Sequence, residues 1–185
     1  MSLLKVRIIS AKRNAKIKNI EQLRKMKRLS GTEVAEYFRR SYTAADGLWF
    51  MKVEEAFSFD TALEIDNQVW KVLPKIQARM LKSMLNLDNG IQGLYEGITT
   101  RLTLEGFEFE AEKGDDGFKV FIKKCPWNEL MIKSGREYLS EKISSLICKT
   151  ENSVWASEFG DIPFLLEKQI CKNAKSCMLQ FGSKS

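Results

Sequence analysis

The sequence predicts an α+β fold in which an N-terminal helical hairpin packs on an antiparallel sheet of about four strands, with further helices. Three observations predict it: apolar residues recur at helical spacing between residues 31 and 85, they alternate with polar residues after Arg101, and Gly-Asp-Asp-Gly at residues 114–117 is typical of a hairpin turn. Helices, a hairpin, more helices and a last hairpin are an order that favours an antiparallel sheet.

Two helices are predicted for the first part of the chain. Thr32 is a suitable cap for the first helix, and a break is expected near Gly47. Asp60 is a suitable cap for the second helix, whose apolar stripe passes through Pro74, where we expect a kink. A short helix around residues 94–100 then leads into the sheet.

The sheet is predicted to contain two antiparallel pairs. Residues 101–111 alternate between apolar and polar side chains, with a slip at Glu105–Gly106 that indicates a bulge, and residues 118–124 return after the turn. The remaining predicted elements are helices at 127–133 and 137–155 and a last pair of strands at 162–171 and 177–181.

The composition is that of an ordinary globular protein, with 185 residues of which 44% are hydrophobic and 29% charged. No run of eighteen apolar residues occurs, and Met1–Ser10 is too short and too charged for a signal peptide, so we expect a cytoplasmic protein with no membrane span. Histidine is absent. Ser-His-Asp and Cys-His catalysis and histidine-ligated zinc are therefore excluded within this chain.

The net charge of +6 comes from one end of the chain. Residues 1–30 hold ten Lys or Arg residues and one acid, Glu21, whereas the rest of the chain is slightly acidic. We therefore predict a basic N-terminal extension at residues 1–30 and a single α+β domain at residues 31–183. A basic arm can neutralise phosphates, which makes an interaction with nucleic acid or with a protein one of the readings to test.

Four cysteines occur at positions 125, 148, 171 and 177, without the paired CxxC spacing of a zinc knuckle. Cys125 precedes Pro126 at a predicted helix N-terminus, where backbone N–H groups favour a thiolate. Cys148 lies nearly opposite the apolar stripe of its helix, and Cys171 and Cys177 flank the last turn. All four could meet at one end of the sheet as ligands of a metal, although packed or surface thiols explain the same pattern.

Two aspartates fall on the apolar faces of the predicted hairpin. Asp66 lies at the centre of the stripe between Leu63 and Trp70, and Asp46 flanks the stripe of the first helix. A carboxyl group in such a place must be paired, protonated or hydrogen-bonded, and desolvation would raise its pKa towards the range of acid–base chemistry. The alternative is a purely structural role, with Trp49, Trp70 or Tyr42 as hydrogen-bond donors.

The residues that carry a family resemblance are Asp46-Gly-Leu-Trp49 and Cys125-Pro-Trp127, together with Ala62–Trp70 and the Cys171-x5-Cys177 spacing. Over roughly Glu33–Phe181 the chain resembles an uncharacterised prokaryotic and archaeal family. That family looks related to L-2-amino-thiazoline-4-carboxylate hydrolase-like proteins and, more distantly, to the 4-vinyl reductase small-molecule-binding domain.

The resemblance implies a ligand pocket, with cysteines that hold a metal in the vinyl-reductase type and hydrolysis of a C–N bond in the hydrolase-like type. The cysteines that match are Cys125, Cys171 and Cys177, with Cys148 as a further match.

Our leading interpretation is a small-molecule-binding, sensor-like domain. Its ligand-binding residues are predicted to be Asp46, Trp49, Glu54, Asp66 and Trp70. Its metal ligands are predicted to be Cys125, Cys148, Cys171 and Cys177, holding zinc or an iron–sulfur centre. The expected partners are a small-molecule ligand and a second copy of the chain in a homodimer.

The alternative interpretation is a small hydrolase that acts on a cyclic or amide substrate. In it Cys125 is the nucleophile and Asp66 moves the proton.

Overall fold

The computed structural model describes residues 29–183. The chain divides into two compact units, Met1–Phe38 and Arg39–Ser185. The division falls inside the first helix, and the boundary that the sequence predicts at residue 30 stays a prediction. Of the basic extension predicted for residues 1–30, residues 1–28 lie outside the described part.

The described part holds six α-helices and four strands. The helices are α1 (Gly31–Ala56), α2 (Phe59–Trp70), α3 (Leu73–Leu85), α4 (Ile91–Glu105), α5 (Pro126–Lys133) and α6 (Ser140–Ser157). The strands are β1 (Glu108–Lys113), β2 (Gly117–Lys124), β3 (Phe164–Lys168) and β4 (Cys177–Gly182). The predicted α+β class is confirmed. Among these residues no helix combines the length and the apolar character that a membrane span requires.

The first unit contains the start of α1. Ser30 accepts a hydrogen bond at its Oγ from the backbone N–H of Glu33 (3.2 Å), and the Glu33 carboxylate accepts one from the N–H of Ser30 (2.7 Å). This is a reciprocal capping box, which satisfies two N–H groups that the helix leaves unpaired. The cap of this helix is therefore Ser30. The sequence-based prediction of Thr32 is wrong.

Three local predictions about the helices in the second unit are wrong. Helix α1 runs through Gly47 without a break. Ser58, not Asp60, caps α2, because its Oγ accepts from the N–H of Thr61 at 3.1 Å. Pro74 does not kink a helix; it lies in the first turn of a separate helix, α3, where its missing N–H costs nothing.

Substitutions at Ser58 and Asp60 test directly which residue caps α2. Ser58→Ala should lower the free energy of unfolding by about 1 kcal/mol, because it leaves an N–H of the first turn of α2 without its acceptor. Asp60→Asn, which changes the residue that the pattern favoured, should cost less than about 0.5 kcal/mol. Urea denaturation of both variants makes the comparison, and equal losses would contradict the assignment of the cap.

Helix α4 is longer than predicted and takes residues that the alternation assigned to a strand. Leu94, Ile98 and Leu102 continue a buried stripe at helical spacing. Gly106 ends the helix with φ of 82°, a left-handed conformation that glycine adopts without strain. The slip at Glu105–Gly106 is thus a helix terminus and not a bulge, and the strand begins at Glu108.

The sheet has the strand order β1-β2-β4-β3 and is antiparallel throughout. Val120 pairs with Leu179 and Ile122 with Cys177, so these side chains share one face. The core lies between this face and helices α3, α4 and α6, where Trp155 and Phe159 are fully buried. Because Cys177 lies at the end of this apolar face, the register points its side chain towards the helices.

Candidate functional site

A cavity of about 430 Å³ lies within the Arg39–Ser185 unit. Its walls come from α1, α2, α4, α5 and α6 and from the helix-facing side of the sheet, and most of its lining side chains are apolar. A concave, mostly apolar space of this size with a few polar groups is the usual form of a small-molecule site.

Two carboxyl groups stand on the wall that α1 and α2 form. Asp46 and Asp66 both line the cavity and both are half-buried. Burial, with a smaller contribution from Glu151, raises the pKa of Asp46 to about 6. Burial and the charge of Asp46 raise the pKa of Asp66 to about 7, while the Trp70 side chain acts in the opposite direction as a hydrogen-bond donor.

Aromatic rings adjoin the two carboxyl groups. Trp70 follows Asp66 by one helical turn and is only 3% exposed. Its ring meets that of Trp127, at the start of α5, edge to face with 6.0 Å between centroids. Tyr42 meets Trp127 in the same way at 5.6 Å. This geometry holds both indoles in fixed positions on the cavity wall.

A buried ion pair forms another part of the wall. Arg101 on α4 pairs with Glu151 on α6, and their side chains are 4% and 12% exposed. Arg101 also donates from Nη2 to Oδ1 of Asn152 (3.0 Å), and its guanidinium lies 5.4 Å from the Trp155 ring centroid. The positive charge of Arg101 is therefore already engaged by protein groups.

Glu105 brings a further acid close to this pair. Burial raises its pKa to about 7, against the opposing effect of Arg101. Its carboxyl accepts a hydrogen bond from Nε2 of Gln77 at 3.4 Å. The positive charge of Arg101 thus stabilises the ionised form of two buried acids, Glu151 and Glu105.

All four cysteines line the cavity as free thiols. The sequence placed Cys148 opposite the buried face of its helix. That expectation is wrong, because the face that packs inward carries Asn152 and Trp155, and burial raises the pKa of the Cys148 thiol well above its usual value.

The surroundings of the thiols do not favour the ionised, thiolate form. Burial raises the pKa of Cys125 to about 12, although backbone N–H groups of Asn128 and Trp127 at the start of α5 act in the opposite direction. Within residues 29–183, no group of three or more cysteine or acidic side chains is arranged so that it could hold a metal ion. The four thiols therefore do not form a complete set of metal ligands.

The structure brings together most of the predicted site residues but not all of them. Asp46, Asp66, Trp70 and the four cysteines line the cavity. Trp49 does not, and its side chain is 64% exposed. Glu54 is also absent from the lining; it pairs with Arg136, a residue that does line the cavity.

Sequence reasoning missed the ion pair. The alternation that begins at Arg101 predicts a strand there, and no pattern in the sequence marks Glu151. The signal that could have found Arg101 is the i, i+4 spacing of Leu94, Ile98 and Leu102, which extends the helix past it.

The comparison with protein families gives a match over residues 21–172 to a model described as "Family of unknown function (DUF6125)". The match covers most of the chain, so the chain belongs to this family. The predicted resemblance to an uncharacterised family is confirmed at this level. The comparisons with curated proteins and with solved structures give no match.

Proposed function

We propose, for a chain whose family carries no assigned activity, that it is a small-molecule-binding domain and that its ligand occupies the cavity of the Arg39–Ser185 unit. The observation that carries the proposal is the cavity itself, about 430 Å³ of mostly apolar lining with the carboxyl groups of Asp46 and Asp66 on one wall. Such a space accepts the apolar body of a small ligand, and a few polar groups fix its orientation.

The polar groups of the wall support a binding role. A buried carboxyl without a partner is costly, and proteins retain such groups chiefly at sites with a function. Within residues 29–183, neither Asp46 nor Asp66 has a cationic side chain within 4 Å. Asp66 does accept a hydrogen bond from Trp70, but a bound molecule with a charged group would supply the cationic partner that both carboxyl groups lack.

Gly47 offers a way to test the proposal. It lines the cavity from α1, and a Cβ atom at this position would lie 3.7 Å from Cδ2 of Leu130, an ordinary contact. Gly47→Ala should therefore fold well and stabilise the helix by roughly 0.5–1 kcal/mol. Gly47→Leu should place the larger side chain in the space that the ligand needs.

The probe for this test is N-phenyl-1-naphthylamine, a neutral apolar fluorophore that becomes brighter in an apolar site. The full chain should bind it, Gly47→Ala should keep the affinity within about threefold, and Gly47→Leu should weaken binding at least tenfold while circular dichroism stays unchanged. A full chain that does not bind the probe, or a Gly47→Leu variant that binds it as well as Gly47→Ala, would overturn the proposal.

The hydrolase reading receives less support. A cysteine nucleophile acts as a thiolate, and the raised pKa of Cys125 keeps it protonated near neutral pH. A relation to the hydrolase-like or vinyl-reductase families stays a prediction.

A zinc or iron–sulfur centre is not part of the proposal, because the thiols do not form a ligand set. The interaction with nucleic acid depends on the basic extension and lies outside the described residues. The homodimer also stays a prediction.

A further inference from the structure

The polar wall of the cavity carries an excess of negative charge. The charged residues that line the cavity are Asp46, Asp66, Glu151, Arg101 and Arg136. Arg101 is engaged by Glu151, and Arg136 is engaged by Glu54. In the part of the chain that the structure describes, this leaves the carboxyl groups of Asp46 and Asp66 as the charges of the wall without a counterion.

The two carboxyl groups line the same cavity. They come from neighbouring helices, α1 and α2, and they are close enough for the charge of Asp46 to affect Asp66. Two carboxylates at short range repel each other. A positive charge between them offsets this repulsion and stabilises the ionised forms that burial disfavours.

The surroundings of these carboxyl groups indicate what kind of cation would fit. A hard divalent metal needs six or more oxygen ligands, but most of the wall is apolar, and no group of three or more acidic or cysteine side chains within residues 29–183 is arranged to hold a metal ion. Trp70 donates a hydrogen bond to Asp66 and meets Trp127 edge to face, and both indoles line the cavity. The faces of indole rings attract ammonium groups. Carboxylate together with tryptophan, in front of an apolar space, is the chemistry that recognises an organic cation.

We infer that the ligand of this cavity is an organic ammonium compound, whose cationic group lies between Asp46 and Asp66 beside Trp70 and Trp127 and whose apolar body fills the remaining space. The inference rests on the proposed function and specifies the chemical class of its ligand. It also supplies a counterion for the two aspartates, which an apolar ligand alone would leave without one.

The test compares three probes of similar shape and different charge: phenethylammonium, phenethyl alcohol and 3-phenylpropionate. Binding to the full chain is measured at pH 8 by isothermal titration calorimetry. The ammonium compound should bind at least tenfold tighter than the alcohol, and the carboxylate should bind most weakly. An alcohol that binds as tightly as the ammonium compound would overturn the inference and leave the proposed function standing; no binding of any probe or of the naphthylamine would overturn both.

Charge-neutral variants locate the preference. Asp66→Asn and Asp46→Asn keep the size of the side chain and remove its charge, so each should reduce the preference for ammonium over alcohol to below about threefold. Glu64→Gln is the matched control, because Glu64 is exposed on α2 two residues before Asp66. It should keep the full preference. A preference that survives both aspartate variants would place the cation elsewhere and contradict the inference.

The affinity should also depend on pH. The ammonium probe stays charged from pH 5.5 to pH 8, whereas Asp46 and Asp66, with pKa values of about 6 and about 7, ionise within this range. Its affinity should therefore rise at least fivefold from pH 5.5 to pH 8, and that of the alcohol should change less than twofold. The other ionisable groups that line the cavity are Arg101, Cys125, Arg136, Cys148, Glu151, Cys171 and Cys177. Two further ionisable groups, Tyr42 and Glu105, interact with the charges of this wall. Of these, Glu105 also titrates near pH 7, so the rise must be lost in Asp66→Asn to count as support.

Discussion

Arg101→Met should lower the free energy of unfolding by about 3–5 kcal/mol, because it leaves buried acids without their counterion. The guanidinium is almost completely buried, it pairs with Glu151, and it opposes the raised pKa of Glu105. Removing one partner of such a pair costs far more than the pair itself contributes to stability. Urea denaturation at pH 7 measures the loss.

Two comparisons separate this effect from a general loss of packing. Arg79 pairs with Glu158 at 2.7 Å, but its side chain is 70% exposed, so Arg79→Met should cost about 1 kcal/mol or less. The double variant Arg101→Met with Glu151→Met should recover part of the loss, since it removes one of the acids that the single variant leaves unpaired. An Arg101→Met variant no less stable than Arg79→Met would contradict the role assigned to Arg101.

The protein should become less stable as the pH rises from about 5 to about 8. The folded pKa values of Asp46 and Asp66 are about 6 and about 7, above the ordinary value of 3.8. The folded chain therefore holds protons that the unfolded chain has released. This contribution to stability is complete below the ordinary value and is lost as the pH rises through the folded values. The lowered pKa values of Glu33 and Glu158 act only at lower pH.

Asp66→Asn should remove a large part of this dependence. At pH 8 the variant should be more stable than the parent chain by about 2 kcal/mol, because no charge has to be buried, and at pH 5 this difference should be less than half as large. The control is Glu64→Gln, which should follow the parent chain at both pH values. Thermal or urea unfolding across this pH range makes the measurement. A parent chain whose stability rises from pH 5 to pH 8 would contradict the burial of these carboxyl groups.

Much of the site follows from helical periodicity. Asp46 and Asp66 both line the cavity, but the apolar stripe predicted for α1 is only partly buried, since Leu48 and Trp49 are 58% and 64% exposed. Turn chemistry located the hairpin between β1 and β2 in the same way, since Gly-Asp-Asp-Gly bounds it. These features depend on neighbours in the chain, so the sequence displays them directly.

The rest depends on partners that are distant in the chain. Arg101 and Glu151 lie fifty residues apart, and nothing local marks them as a pair. The alternation of Leu102 and Leu104 suggested a strand, but it is too short to outweigh a helix whose stripe packs on the core. Gly47 and Pro74 predict a break and a kink because each residue has a low intrinsic helix propensity. In the structure α1 continues through Gly47, and Pro74 lies in the first turn of α3, where it is tolerated.

The most direct test of the ligand site uses the indole N–H signals of the four tryptophans. In ¹H–¹⁵N correlation spectra of the full chain titrated with phenethylammonium at pH 8, the Trp70 and Trp127 signals should shift in a saturable way, while that of Trp49, exposed on α1, stays in place. Shifts confined to Trp49, or no saturable shift of Trp70 and Trp127, would contradict a ligand site in this cavity.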